Sequence, residues 1–155
     1  MLELAVLSAA FAMGGAIPDR YACRPCSPPL SWSEVPAGTQ SLAILCDDPD
    51  APAGDWVHWV VFNLAPDVRA LPENVARDAR LPGGAVQGVN DYARNGYDGP
   101  CPPPGQTHRY FYTVFALDVR LALAAGARKK DLVEAMRGHV LAQGALMGTY
   151  SRKTR

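Results

Sequence analysis

The sequence predicts a mainly β domain with one or two helices near its C-terminus, and three observations carry that reading. Two segments, Trp56-Val-His-Trp-Val-Val-Phe62 and Arg109-Tyr-Phe-Tyr-Thr-Val-Phe-Ala-Leu-Asp118, are β-branched and aromatic over strand length. Fourteen glycines and fourteen prolines punctuate the rest with turn chemistry. Apolar residues recur at helical spacing clearly in one place, after Asp131. With 155 residues, 48% of them hydrophobic, the chain can bury a core as one domain (1–155) without metal or disulfide staples.

The elements follow in order. Residues 2–7 alternate, with Leu2, Leu4 and Val6 on one side, and predict a first strand. A secretory leader wants a basic start, and the early charge here is Glu3, so a cytoplasmic protein is expected. Pro28-Pro29-Leu-Ser-Trp32 is stiff and extended, because proline fixes its own φ and restricts the residue before it. Val35-Pro-Ala-Gly38 reads as a turn, and Leu42-Ala-Ile-Leu-Cys46 as a short buried strand with Cys46 inside. The strand from Trp56 is apolar on both faces, which places it centrally in its sheet. Residues 67–105 form a long irregular stretch, a length that usually signals function, and Pro100-Cys-Pro-Pro-Pro104 gives it a fixed shape. The strand from Arg109 presents Tyr110, Tyr112, Val114 and Ala116 on one face and Phe111, Thr113, Phe115 and Leu117 on the other. Asp131-Leu-Val-Glu134 resembles a capping box opening a helix that runs through Leu132, Met136, Val140 and Met147 to Gly148; a second short helix is expected at 122–125.

Charge and hydropathy exclude some partners. Fifteen basic and fifteen acidic residues leave no cationic excess to displace phosphate counterions, so nucleic acid is not an expected partner. Apolar runs fall short of the roughly 18–20 residues of a membrane-spanning helix, so integral membrane association is not expected either. Cys23-Arg-Pro-Cys26 would need two further ligands to hold zinc, and a thioredoxin-like pair would open a helix rather than sit among Pro25, Pro28 and Pro29. Cys23 and Cys26 therefore read as two loop thiols, with neither metal nor cofactor implied.

Nucleophile elbows, phosphate-binding loops and dinucleotide fingerprints are missing, so the sequence reads as a non-enzyme. What remains are unusual polar residues in rigid or apolar surroundings. Asp48-Pro-Asp50-Ala-Pro52 fixes two carboxylates at a strand end. His58 stands inside an apolar strand, and His108 precedes the strongest strand. Taken singly these are an acidic turn, a satisfied core imidazole and a turn cap; His139 reads as structural. Together with Tyr110 they make a phosphate-sized anion pocket, in which aspartate orients imidazole and proline walls the cavity.

Asp48-Pro-Asp50-Ala-Pro52, Trp56-x-His58-Trp59, Gly96-Tyr-x-Gly-Pro-Cys-Pro-Pro-Pro-Gly105 and His108-Arg-Tyr110 resemble the phosphatidylethanolamine-binding protein family, also called the Raf kinase inhibitor-like proteins, in its bacterial branch. Ser27-Pro-Pro-Leu-Ser-Trp32, Leu71-Pro-Glu-Asn74, Gly88-Val-Asn-Asp-Tyr92 and Gly148-Thr-Tyr-Ser151 extend the resemblance over nearly the whole chain. It implies a large central antiparallel sheet packed on a smaller one with Greek-key connections. It also implies a pocket for phosphate, a phosphoethanolamine-like head group or a carboxylate-like anion. By motif, the ligand-binding residues would be Asp48, Asp50, His58, Pro102, His108 and Tyr110, with Gly99 and Cys101 shaping the loop and Trp56 forming a wall. A protein kinase or a protease is implied as a partner, and a homodimer by resemblance to bacterial relatives. Mammalian members add a C-terminal helix beside the pocket, and the shorter chain here predicts a more open mouth. The Ala- and Arg-rich composition points to a bacterial source.

The leading expectation is a non-catalytic binding or regulatory protein that modulates a kinase or phosphoprotein. The alternatives are a protease inhibitor acting through a surface segment and a weak phosphoester hydrolase using an Asp–His pair. A structural zinc protein built on Cys23 and Cys26 is a further, separate hypothesis.

Overall fold

The computed structural model describes residues 2–153. Nine strands form two sheets: β1 (Leu2–Glu3), β2 (Val6–Leu7), β3 (Leu30–Trp32), β4 (Ser41–Asp48), β5 (Trp56–Leu64), β6 (Ala70–Leu71), β7 (Val86–Gln87), β8 (Thr107–Leu117) and β9 (Val140–Ser151). The larger sheet has the order β1-β9-β8-β4-β5-β7 and the smaller β2-β3-β6. All pairs are antiparallel except the short edge pair β1–β9, which makes the large sheet mixed. The expected β architecture is present. The first predicted strand is two strands instead, because the chain crosses from the large sheet at Leu2–Glu3 to the small one at Val6–Leu7.

Strand alternation sorts the core onto the two faces of the large sheet. Leu42, Ile44 and Cys46 of β4, and Tyr110, Tyr112, Val114 and Ala116 of β8, pack with Leu30 and Trp32 of the small sheet. Ala43 and Leu45 face the other way and, with Val60, Phe62 and Leu117, meet Leu132 and Met136 of the single α-helix, α1 (Lys129–Met136). β5 lies between β4 and β7, inside the sheet as its two apolar faces require.

Three expectations are corrected. The helix ends at Met136 rather than Gly148. Asp131 sits inside the first turn, where its carboxylate accepts from the Arg128 backbone N–H, so it is not the residue that starts the helix. Gly138, at φ +81°, turns the chain, and Val140–Ser151 becomes β9. Residues 122–125 are not helical; they lead into a turn that Ala127 N–H closes onto Ala124 O. Finally, Cys23 is no free loop thiol: it is disulfide-bonded to Cys101, 78 residues away, and Cys26 and Cys46 remain free.

Candidate functional site

Two irregularities in β5 aim its side chains. β4 and β5 pair Asp47 with Val57 but Cys46 with Trp59, so His58 is the extra residue of a β-bulge. Val57 then belongs to the helix-side core and Trp59 to the opposite one, while His58 is released from ladder alternation and lines a cavity at the strand end. Asn63 lies at a second register shift, with φ +59°, and its amide closes two hydrogen bonds onto the Leu121 backbone. The first bulge places the site and the second only adjusts the sheet.

The cavity measures about 210 Å³. Its floor is His58, His108, Tyr110 and Asp48; its walls are Ala51, Pro52, Ala53, Trp56, Tyr92, Cys101, Pro102 and Pro103. The aromatic floor is rigid: the His58 ring meets Tyr110 edge-on at 5.4 Å between centroids, and His108 stacks on Tyr110 at 6.4 Å. Trp56 and His58 both meet Tyr92 edge-on.

Each polar group has a defined orientation. His58 Nδ1–H donates to the Asp98 carbonyl at 2.6 Å, and Asp98 N–H donates back to the His58 carbonyl. Burial pushes the His58 pKa below its ordinary value, so the ring is neutral at neutral pH and Nε2 carries its lone pair. His108 Nδ1 bonds Asp48 Oδ2 at 2.7 Å, and its Nε2 lies 2.9 Å from the exposed Gln106 amide. The other Asp48 oxygen accepts the Asp50 N–H, closing a turn. Burial, and then the neighbouring Asp48 carboxylate, push the Tyr110 hydroxyl far above its ordinary pKa, which keeps it a proton donor.

Two donors are left unsatisfied. Trp56 Nε1 and Tyr110 Oη are buried and neither closes a hydrogen bond of good geometry among the described residues, although the Tyr92 hydroxyl stands near the indole and the Asp48 carboxylate near the phenol. A buried unpaired donor costs about 1–3 kcal/mol, and both of these belong to side chains that line the cavity, so a small shift of either ring would offer its donor to a guest that supplies acceptors. The indole N–H can only donate, which selects an acceptor-rich ligand.

The structure brings Asp48, His58, Pro102, His108, Tyr110, Trp56 and Cys101 together around this cavity. Asp50 and Gly99 lie outside its lining. Asp50 spends both carboxylate oxygens on the Arg109 guanidinium and backbone N–H, and that pairing lowers its pKa to about 2. Gly99 acts one layer back: a Cβ there would stand 2.0 Å from Tyr21 O, so its lack of a side chain lets the 21–24 and 98–101 segments press together. Tyr92, Pro103 and Gln106 were not singled out from sequence. Tyr92 stood only within a longer resembling segment, and Gln106 lay in a turn with no distinguishing signal.

Among the described residues no three His, Cys, Asp or Glu side chains converge as metal ligands, and no helix is long and apolar enough to cross a membrane. His139 lies in the turn after α1, paired with Asp118, and not within a helix.

Comparison with known proteins places this geometry. The family model described as phosphatidylethanolamine-binding protein matches residues 7–151. A UPF0098 protein of Methanothermobacter thermautotrophicus is 54% identical over 145 residues, covering 92% of this chain and 95% of its own. A crystal structure described as that of a phosphatidylethanolamine-binding protein homologue from Chlamydia trachomatis superposes with a TM-score of 0.88 at 41% identity, covering 99% of this chain and all of its own. Escherichia coli YbcL, described as a new member of the mammalian family, superposes with a TM-score of 0.90 at 32% identity over 97% of this chain and 99% of its own. The relatives are archaeal as well as bacterial.

Proposed function

The chain belongs to the phosphatidylethanolamine-binding protein family, and on that premise we propose that it is a non-catalytic binding protein whose cavity takes phosphate or a phosphorylated head group. The observation that carries the reading is one small cavity lined by two oriented imidazoles and by Trp56 and Tyr110, whose buried Nε1 and Oη close no hydrogen bond of good geometry. A phosphoryl group offers acceptors to both donors and stands beside the His108 ring. It also draws a proton onto His58 Nε2, which turns that atom from acceptor to donor.

The lining favours binding over turnover. It contains no serine, threonine or lysine, and the Cys101 sulfur is held in a disulfide. Modulation of a kinase or another phosphoprotein would follow from holding a phosphorylated segment in the same cavity. Protease inhibition, which would use a surface segment, and phosphoester hydrolysis stand as the competing readings.

The test is an NMR titration of the His58 and His108 imidazole resonances with inorganic phosphate and then O-phosphoethanolamine. Saturable shifts of both rings, lost in Tyr110→Phe, are expected. Imidazoles unmoved at millimolar ligand would overturn the reading. Turnover of a phosphoester panel that disappears in His58→Ala would replace it with hydrolysis.

A further inference from the structure

A second depression adjoins the anion cavity. It measures about 280 Å³ and shares two residues with the cavity, Tyr92 and Cys101, which form the boundary between the two. Its charged lining is Arg24, Arg94 and Asp98. The Asp98 carboxylate is already occupied, accepting from Arg94 and Arg77 at 2.8 Å each and from Asn90 at 2.8 Å. The Arg24 guanidinium is exposed and makes no hydrogen bond or ion pair among the described residues. Of the other arginines, Arg20 pairs with Glu73 and Arg109 with Asp50, Arg77 and Arg94 share Asp98, and Arg152 bonds the Pro102 carbonyl. The lining's formal charge is therefore +1, with Arg24 the lining guanidinium that no carboxylate engages.

The position of Arg24 is fixed rather than fluctuating with a loose loop. The Cys23–Cys101 disulfide precedes it, Cys23 N–H donates to Pro100 O at 2.9 Å, and Gly99 N–H donates to Arg24 O at 3.0 Å. The backbone bearing this guanidinium is thus tied to the loop that walls the anion cavity.

We propose that the ligand carries two anionic groups: a phosphoryl group for the cavity, and a second acid, such as a carboxylate, that crosses the disulfide to Arg24. The inference rests on the phosphate-binding reading and narrows it to small phosphomonoesters with a second acid, against zwitterionic ones. A head group ending in an ammonium brings its positive charge toward Arg24 and is disfavoured there.

The test is calorimetric titration at low salt with inorganic phosphate, O-phosphoethanolamine, phosphoglycolate and a phosphoglycolate homologue with a three-methylene spacer. The better of the two carboxylate probes is expected to bind about threefold to tenfold tighter than O-phosphoethanolamine, a preference that shrinks as salt rises. Arg24→Gln should bring that ratio toward one, and Arg24→Lys should keep part of it. Arg80→Gln, at an exposed position lining neither cavity, should leave it unchanged. Phosphate binding with no preference between the organic probes, or a preference that survives Arg24→Gln, overturns the two-anion ligand alone. Failure of inorganic phosphate itself to bind overturns the underlying pocket reading as well. Tight binding of an acidic phosphopeptide without discrimination among the small probes also overturns it, and makes the depression a protein contact.

Discussion

Cys23 is disulfide-bonded to Cys101, and Cys101 stands between Pro100 and Pro102 in the wall of the proposed anion cavity. One bond therefore ties the N-terminal loop to the loop that shapes the site. It closes a separation of 78 residues, and disulfides typically stabilise by about 2–4 kcal/mol, chiefly by restricting the unfolded chain, more for longer loops. Denaturant unfolding with and without dithiothreitol should differ by about that amount, with the Cys23→Ala/Cys101→Ala pair matching the reduced protein. Thiol counting on the denatured, unreduced protein should find two free cysteines, Cys26 and Cys46; four would remove the bond. Thiol trapping in intact cells then bears on the expected cytoplasmic location, since a reducing cytosol disfavours such a bond outside hyperthermophiles.

Tyr110 and Trp56 should separate stability from binding. Tyr110→Phe deletes a buried hydroxyl that closes no hydrogen bond of good geometry, so the folded protein should be unchanged or more stable by up to about 1 kcal/mol. Phosphate affinity should fall about tenfold, the worth of one hydrogen bond to a charged ligand. Thermal unfolding and calorimetry on the same sample test both halves. A variant that loses stability and keeps affinity would show that the hydroxyl supports the fold instead.

Much of this site was legible in the sequence because rigid chemistry repeats itself locally. Prolines, paired aspartates and β-branched runs specify β4, β5, β8 and the cavity walls without reference to distant residues. What failed depended on distant packing. In β9 the inward positions are Ala142, Gly144, Leu146 and Gly148, so the buried face is mostly too small to register as an apolar stripe. The reason lies far away in the chain: a Cβ on Gly144 would stand 1.8 Å from Leu4 O, and one on Gly148 would stand 2.7 Å from Phe11 and Ile17. Val140, Leu141 and Met147 were left to mimic a helical period. The Cys23–Cys101 pairing was equally unreadable, because Cys26 is nearer in sequence while Cys101 is nearer in space.

Lys129 should act as a clasp between layers. From the first turn of α1 its Nζ reaches Asp47 of β4 and Asp55 just before β5, each at 2.6 Å. Burial raises the Asp47 pKa even with the lysine present, so the carboxylate depends on that partner to stay charged. Lys129→Met leaves two carboxylates together with no cation and should cost about 1–2 kcal/mol at neutral pH. Much of the loss should return at lower pH, where one carboxylate takes a proton. Urea unfolding of wild type and variant at two pH values checks this, and an equal deficit at both would discard the clasp.

His58 should make the proposed anion binding proton-linked. Burial lowers its pKa in the folded protein below the ordinary value of about 6.5. As pH falls through that value the unfolded chain gains a proton that the folded one still refuses, so ligand-free stability should decline below about pH 6.5. His58→Asn should flatten that decline. A bound anion has the opposite effect on the same group, because its charge favours imidazolium and raises the pKa of His58 in the complex. Affinity should therefore rise as pH falls toward and below about 6.5. Sulfate is the appropriate probe, since it stays doubly charged throughout, whereas phosphate titrates within the window. Calorimetry of sulfate in buffers of different ionisation enthalpy should report proton uptake approaching one per anion, absent in His58→Asn. Uptake that persists in that variant would assign the proton to another group on the cavity.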